Sequence, residues 1–175
     1  MNRRQWLIII AIGFFSLLAG VFSSRWMNQS QLASEVAIQH FLSHEWQDPD
    51  GKPTNSADWQ GKLLVVNFWA SWCPPCVEEM PALSRLQTEF KQQNVVFVGI
   101  GIDSPSNIRE FLKKTPVTYS IVIGGIDGSN ISKEMGNTQG ALPFTVIINP
   151  QGKAVSSKLG KISEDELKSI IKANL

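Results

Sequence analysis

Cys73 and Cys76 are the only two cysteines of the chain, three positions apart, with Pro74 and Pro75 between them. Two thiols at this spacing can form one redox couple, one structural bond or half of a metal site. A bridge closing so short a loop constrains little of the unfolded chain, which disfavours a purely stabilising role. Tetrahedral zinc needs two further ligands. The only histidines, His40 and His44, lie upstream near a turn and read as a solvated face, while Met80 and Met135 fall at core-like helical positions. Redox chemistry is therefore the favoured reading, with no metal and no cofactor expected.

The attacking species in disulfide exchange is the thiolate. A helix beginning just after Cys73 would put that sulfur at its N-terminus, where an anion is favoured below the free thiol pKa of about 8.5. Cys73 would then face solvent and attack. Cys76, one turn in and tucked behind, would resolve the mixed disulfide. Pro74 and Pro75 cost such a helix little, because the N–H groups they lack have no helical partner in the first turn. Pro75 also has no N–H to offer a Cys73 thiolate. The expectation is a less acidic Cys73 and a more reducing couple.

Several elements must position this pair. Residues 63–69 are almost continuously apolar and end in β-branched and aromatic residues, the pattern of a central strand buried on both faces. Met80, Leu83, Leu86 and Phe90 recur at helical spacing and predict a helix over 74–92. Residues 95–102 read as a second strand, parallel to the first through a right-handed crossover. Ser104 and Pro105 open a further helix carried by Ile108, Phe111 and Leu112, and residues 117–123 read as a third strand. Residues 124–140 are rich in Gly, Asn, Ser and Asp and read as a loop with one helical turn at 130–135. Strands at 144–148 and 154–159 flank a Pro-containing turn and form an antiparallel hairpin. Ser163 and Glu166 make a capping box for a final helix built on Leu167, Ile170 and Ile171. Asp48-Pro49-Asp50-Gly51 predicts a small N-terminal hairpin between 41–46 and 52–54. The sum is an α/β domain: a mixed central sheet, helices on both faces and an N-terminal hairpin extension. The cysteines fall at a strand end, where open α/β sheets bind and react.

The 16 Lys+Arg and 15 Asp+Glu of the 175 residues nearly balance. That argues against a nucleic-acid partner, which would show a basic excess. Arg3 and Arg4 precede an uncharged apolar run over 6–22, at the short end of what spans a bilayer. The arginine distribution favours an N-terminus inside. Residues 1–24 thus read as an N-terminal signal anchor, 25–39 as a polar stalk in which Leu32, Val36 and Ala33, Ala37 recur at helical spacing and suggest a short amphipathic helix, and 40–175 as the domain, outside the cytoplasm. A cleaved signal peptide is the competing reading.

Four groups of residues carry a family resemblance: Gly61-Lys62 ahead of the strand; Val66-Asn67-Phe68-Trp69-Ala70-Ser71-Trp72-Cys73-Pro74-Pro75-Cys76; Glu79-Met80-Pro81; and Pro143 with Thr145 and the turn Asn149-Pro150-Gln151-Gly152-Lys153. On these the chain resembles the membrane-anchored, extracytoplasmic TlpA/ResA-like thiol-disulfide oxidoreductases, which have a thioredoxin-like fold. The resemblance implies a cis-Pro143 facing the disulfide, with the backbone of Leu142 pairing with an incoming peptide. It implies that Glu79 accepts the Cys76 proton; the alternative is that Glu78 and Glu79 merely complement the helix dipole. Trp69 and Trp72 would wall the site, and Asn67 stands where cytoplasmic thioredoxins carry a buried Asp. The implied function is reduction of disulfides in a protein substrate by a single-pass, bacterial inner-membrane protein with its domain in the periplasm. A monomer is expected, with a transmembrane thiol carrier as electron donor and cytochrome c maturation as the best-known target class. A dithiol oxidase of the same fold, or a redox-inactive chaperone or metal carrier, are the alternatives. The family pattern is broken at 135–142, which is longer and more polar, and at Phe144, where a threonine is usual. That puts the partner groove in question rather than the redox centre.

Overall fold

The computed structural model describes Gln5 and residues 33–175. The expected anchor and the stalk as far as residue 32 lie outside the described residues, Gln5 excepted. Among the described residues no helix is long and apolar enough to cross a membrane.

Among the described residues seven strands form one mixed sheet in the order β2-β1-β5-β4-β3-β6-β7. They are β1 Trp46–Gln47, β2 Pro53–Thr54, β3 Leu63–Trp69, β4 Val95–Gly101, β5 Ser120–Ile123, β6 Phe144–Ile148 and β7 Ala154–Leu159. β3, β4 and β5 are parallel; β6 runs antiparallel to β3, β7 to β6, and β1 to β5. All seven residues of β3 are buried. Because side chains alternate across a strand, β3 serves two cores. Leu63, Val65 and Trp69 join one that contains Met80, Leu83, Leu86, Phe90, Ile108, Leu167 and Ile171. Leu64, Val66 and Phe68 join the other, with Ala37, Ile38, Phe41, Leu42 and Ile131. Helices α2 Pro74–Phe90, α3 Pro105–Lys114 and α5 Glu164–Ala173 therefore cover one face. Helices α1 Glu35–Ser43 and α4 Gly125–Glu134 cover the other. The mixed sheet between two helical layers is the expected thioredoxin-like architecture.

Four expectations are corrected. The packed unit begins at Ala33 rather than residue 40. Ser34 caps α1 by accepting from Ala37 N–H at 3.1 Å, and the helix buries Ala37, Ile38, Phe41 and Leu42. What reads as the end of a stalk is thus an amphipathic helix whose apolar side seals the second core. The hairpin is correspondingly shorter, two residues per strand, because Phe41 belongs to α1. The third strand starts at Ser120, since Thr118 instead donates its hydroxyl to the Ser84 carbonyl of α2 at 2.8 Å. Finally, α4 is a full ten-residue helix where the sequence predicts a loop with one helical turn at 130–135. Gly124, at its N-cap, and Gly128 are there for close approach. A Cβ on Gly128 would lie 3.0 Å from Ile100 Cγ2, and one on Gly124 2.7 Å from the same atom. Read as helix breakers, they are contact points between α4 and the sheet.

Both edges of the sheet are poor pairing templates. β2 has two residues and begins with Pro53; β7 is polar along Ser156-Ser157-Lys158 and is offset from β6 by an irregularity at Ile147/Ile148.

Trp46 ties the N-terminal extension down. It is 1% exposed, donates Nε1–H to the Phe41 carbonyl at 3.0 Å and packs on the Phe41 ring, which stacks in turn on Trp59. Trp46→Ala should cost about 3–5 kcal/mol of unfolding free energy, the usual loss for a large buried aromatic. Urea denaturation checks this, and a loss below about 1 kcal/mol would show that the extension is not part of the cooperative unit.

Candidate active site

The route from sequence to site runs through the end of β3. Trp69 accepts from Ile102 N–H at 2.7 Å, which ties β3 to β4 at the point where the chain leaves the sheet. Ala70, Ser71 and Trp72 then turn into α2. Cys73 is the N-cap, with φ −101° and ψ 100°, and Pro74 and Pro75 fill the first two helical positions. Prolines suit this place because their φ is already helical and their missing N–H groups are not needed there. Cys73 and Cys76 are joined by a disulfide, with Cα atoms 5.3 Å apart. The bond, the strand end and the helix start are all where the spacing places them.

One expectation about the pair needs correcting. Cys73 does not face solvent in this oxidised form; it keeps 4% of its surface and Cys76 none. The difference between the two sulfurs is in the expected sense but small. The exposed group is the neighbouring Trp72, at 65%, whereas Trp69 is fully buried and packs on Phe111.

Behind the disulfide lies a buried polar cluster. Glu79 is three residues beyond Cys76 on the same helix and is 1% exposed. Its Oε1 accepts from Asn67 Nδ2 at 2.8 Å, and its Oε2 from the Ile162 backbone N–H at 3.0 Å. Asn67 Nδ2 also donates to Thr145 Oγ1 at 3.0 Å. Asn67 and Thr145 face each other directly in the β3–β6 register, so the sheet itself aligns them. Burial pushes the Glu79 carboxyl above its ordinary range, against the Ile162 and Asn67 hydrogen bonds and the Lys161 charge. The dipole alternative fits Glu79 poorly. No acidic residue occupies the first turn of α2, where such effects are confined, and a dipole partner has no reason to be buried. Glu78 does point outward, pairing with Lys161 Nζ at 2.8 Å.

The Leu142-Pro143 peptide bond is cis. Phe68 pairs with Phe144, so continuing that register sets Pro143 level with Trp69 and Leu142 level with Ala70, beside the strand end that leads into Cys73. The unusual 135–142 segment is stitched by one side chain. Buried Asn137 donates Nδ2–H to Ser132 Oγ and to the Ala141 carbonyl, both at 2.9 Å, and accepts from Ala141 N–H at 3.1 Å. The extra polar residues thus form an internally bonded turn.

Ser71 and Asp103 were not legible as site residues in the sequence. Ser71 Oγ–H donates to Asp103 Oδ2, linking the loop before Cys73 to the cap of α3. Asp103 also accepts from Ser104 N–H at 2.7 Å and Asn107 Nδ2 at 2.8 Å. Burial pushes the Asp103 carboxyl up, but hydrogen bonds from Ser71, Asn107 and the Ser104 amide outweigh it and hold the group below its ordinary range. Nothing local in the sequence marks a contact 32 residues apart. Asp103→Ala should remove the anchor of the Ser71 hydroxyl and let the loop open around the Ser71 backbone amide. Hydrogen exchange at that amide is expected to accelerate by about tenfold, corresponding to one hydrogen bond to a charged group; unchanged exchange would mean that the loop is held by other contacts.

A disulfide formed and broken between the end of a central strand and its following helix, in this sheet topology, defines a thioredoxin-fold thiol-disulfide oxidoreductase. The chain belongs to the Redoxin family, which matches residues 37–173. Thiol-disulfide oxidoreductase ResA of Halalkalibacterium halodurans is 28% identical over 178 residues, covering 98% of this chain and 97% of its own length. ResA of Bacillus subtilis is 31% identical over 123 residues, 67% of this chain and 64% of its own. Among solved structures, the thioredoxin-related protein from Neisseria meningitidis serogroup B is 38% identical, with a TM-score of 0.66 over 74% of this chain and 98% of its own. As a thiol-disulfide oxidoreductase, the chain exchanges electrons with disulfide-bearing protein substrates and with redox partners.

Proposed function

We propose that the chain reduces disulfides in other proteins, with Cys73 as attacking thiolate and Cys76 as resolving thiol. In the dithiol form the Cys73 thiolate attacks one sulfur of the substrate disulfide. A Cys73–substrate bond forms, the substrate S–S bond breaks, and the departing thiolate takes a proton from solvent. Cys76 then passes its proton to the Glu79 carboxylate, and its thiolate attacks Cys73 Sγ. The Cys73–Cys76 bond forms, the second substrate thiolate leaves, and two electrons have moved to the substrate. The observation that carries this reading is the buried carboxylate one helical turn beyond Cys76. Such a group gains a proton more readily than a solvated one, as a base for a buried thiol must. Leu142 would supply backbone hydrogen bonds to an extended substrate segment, Pro143 would shape that loop, and exposed Trp72 would lie against the partner. Pro75 favours the reductive direction, because it has no N–H to stabilise a Cys73 thiolate.

Residues 1–24 would tether the domain, as a monomer, on the periplasmic side of a bacterial inner membrane. A transmembrane thiol carrier would return two electrons to the Cys73–Cys76 bond after each cycle. Apocytochromes whose haem-binding cysteines are joined in a disulfide are the substrate class suggested by the resemblance, and their free thiols are the product. The test is alkylation of the dithiol form with iodoacetamide, followed by peptide mapping. Cys73 should react at least about tenfold faster than Cys76, as expected when one thiol has both thiolate character and access. Equal or reversed rates would overturn the assignment of roles.

A further inference from the structure

We propose that the Asn67 side-chain amide turns end for end when Glu79 takes a proton, so that the buried carboxyl is hydrogen-bonded in both of its charge states. In the geometry described, Nδ2 makes two bonds, to Glu79 Oε1 and to Thr145 Oγ1, while Asn67 Oδ1 is buried and has no partner among the described residues. Ile162 N–H occupies Glu79 Oε2. Both carboxyl oxygens therefore face donors, which is the arrangement of an ionised acid. A protonated Glu79 has an O–H to place. On Oε1 that hydrogen would meet the hydrogens of Nδ2, donor against donor, between side chains that are almost fully buried.

A half-turn of the amide removes the conflict. Oδ1 then sits where Nδ2 was and accepts from Glu79 Oε1–H. It also accepts from Thr145 Oγ1–H, because a threonine hydroxyl both accepts and donates and can rotate to suit. In each orientation one end of the amide makes two bonds and the other makes none. The turn therefore costs no hydrogen bond on balance, and this explains why an atom of a buried amide is left unpartnered. An aspartate at this position could only accept, and would repel an ionised Glu79. An apolar residue would strand Glu79 in both states. The β3–β6 register fixes Asn67 opposite Thr145, so the three groups stay aligned through the change.

Other groups that feel Glu79 come from each element packed around it. Lys161, in the loop ahead of α5, acts through its charge and is engaged by Glu78 of α2. Tyr119, just ahead of β5, is buried, and the Glu79 charge raises its phenol further after burial itself. Cys76 precedes Glu79 by one turn on α2. The hydrogen bonds to the carboxyl come from Asn67 and Ile162. Asn67 is thus a positioning residue acting through Glu79. Its place in catalysis rests on the proton route proposed above; the turn itself requires only that Glu79 titrates in the folded protein.

The experiment is NMR of the oxidised, isotope-labelled full chain in detergent micelles, following the two Asn67 Hδ2 resonances and Glu79 Cδ against pH. While Glu79 is ionised, both amide hydrogens are bonded and both should lie downfield. They should move upfield together, with the same apparent pKa as Glu79 Cδ. In a Glu79→Gln variant both should be upfield and independent of pH. If only one hydrogen moves, the bond to Thr145 persists and the amide does not turn, which overturns the proposal. So would two stationary hydrogens, or a Glu79 that does not titrate while the protein stays folded. A turning amide combined with undiminished resolution by Glu79→Gln would refute the proton route and leave the turn standing.

Discussion

Replacing Cys76 with serine is expected to turn exchange into capture. Cys73 still attacks, but no thiol remains to expel the substrate, so a covalent complex accumulates and multiple turnover falls by about 10³-fold or more, the scale seen when one member of a catalytic unit is removed. Non-reducing electrophoresis and mass spectrometry would show a stoichiometric adduct on Cys73 that is released by dithiothreitol. The buried side of the pair explains the expectation: Cys76 has no exposed surface, so a serine there leaves the outward face of Cys73 unchanged. Recovery of the variant with a free Cys73 thiol and no adduct, after incubation with a disulfide-bearing substrate, would remove Cys73 from the attacking role. The identity of trapped partners would also name the substrates.

The second large effect concerns Glu79→Gln. General base assistance contributes about 10²–10⁴-fold, so release of the substrate from its mixed disulfide should slow by that factor at neutral pH while the initial attack by Cys73 is little changed. Stopped-flow measurement of the two steps separates them. Stability should respond in the opposite sense. The folded-state pKa of Glu79 is raised above its ordinary value of 4.5, chiefly by burial. Between that value and the raised one the folded protein holds more protons than the unfolded chain. Stability from this group therefore falls as pH rises through the window and is level above it. The variant should lose that slope and be the more stable protein at neutral pH. A Glu79→Gln chain that resolves at the wild-type rate, or that melts lower at neutral pH, would contradict the assignment.

Both expectations come from residues whose placement the sequence revealed unevenly. The Cys73–Cys76 pair was legible because strand, turn and helix follow one another locally, and their periodicities name them without tertiary information. Glu79 was legible by its distance along one helix, but its burial was not. That burial depends on Asn67, Thr145 and the Ile162 amide, the last two 78 and 83 residues from their partners. Asn67 was the available clue, as a polar residue in a strand otherwise wholly apolar. Helix α4 was missed because glycine has two uses. Local propensity counts it as a breaker, whereas Gly124 and Gly128 are selected by contact with Ile100. Helix α1 was legible only as a short amphipathic stretch within the stalk, from Ala33 and Ala37 at helical spacing. Its apolar residues look sparse until one knows that a second core waits on that face of the sheet. The Ser71–Asp103 link left no sequence trace because it joins two loops whose proximity follows from the parallel β3–β4 pairing alone.

The two ends of the strand order bear on how such a protein can work among other chains. A two-residue strand headed by proline and a polar, offset final strand offer little ladder for a foreign segment to extend. An exposed, regular sheet edge on a thiol-disulfide oxidoreductase would risk pairing with the backbones of its protein partners. Here the lateral rims are blunted, so neither offers a ladder that would compete with the strand end carrying the sulfurs. Selectivity against fruitless adhesion is thus built into the perimeter of the molecule, at a distance from its chemistry.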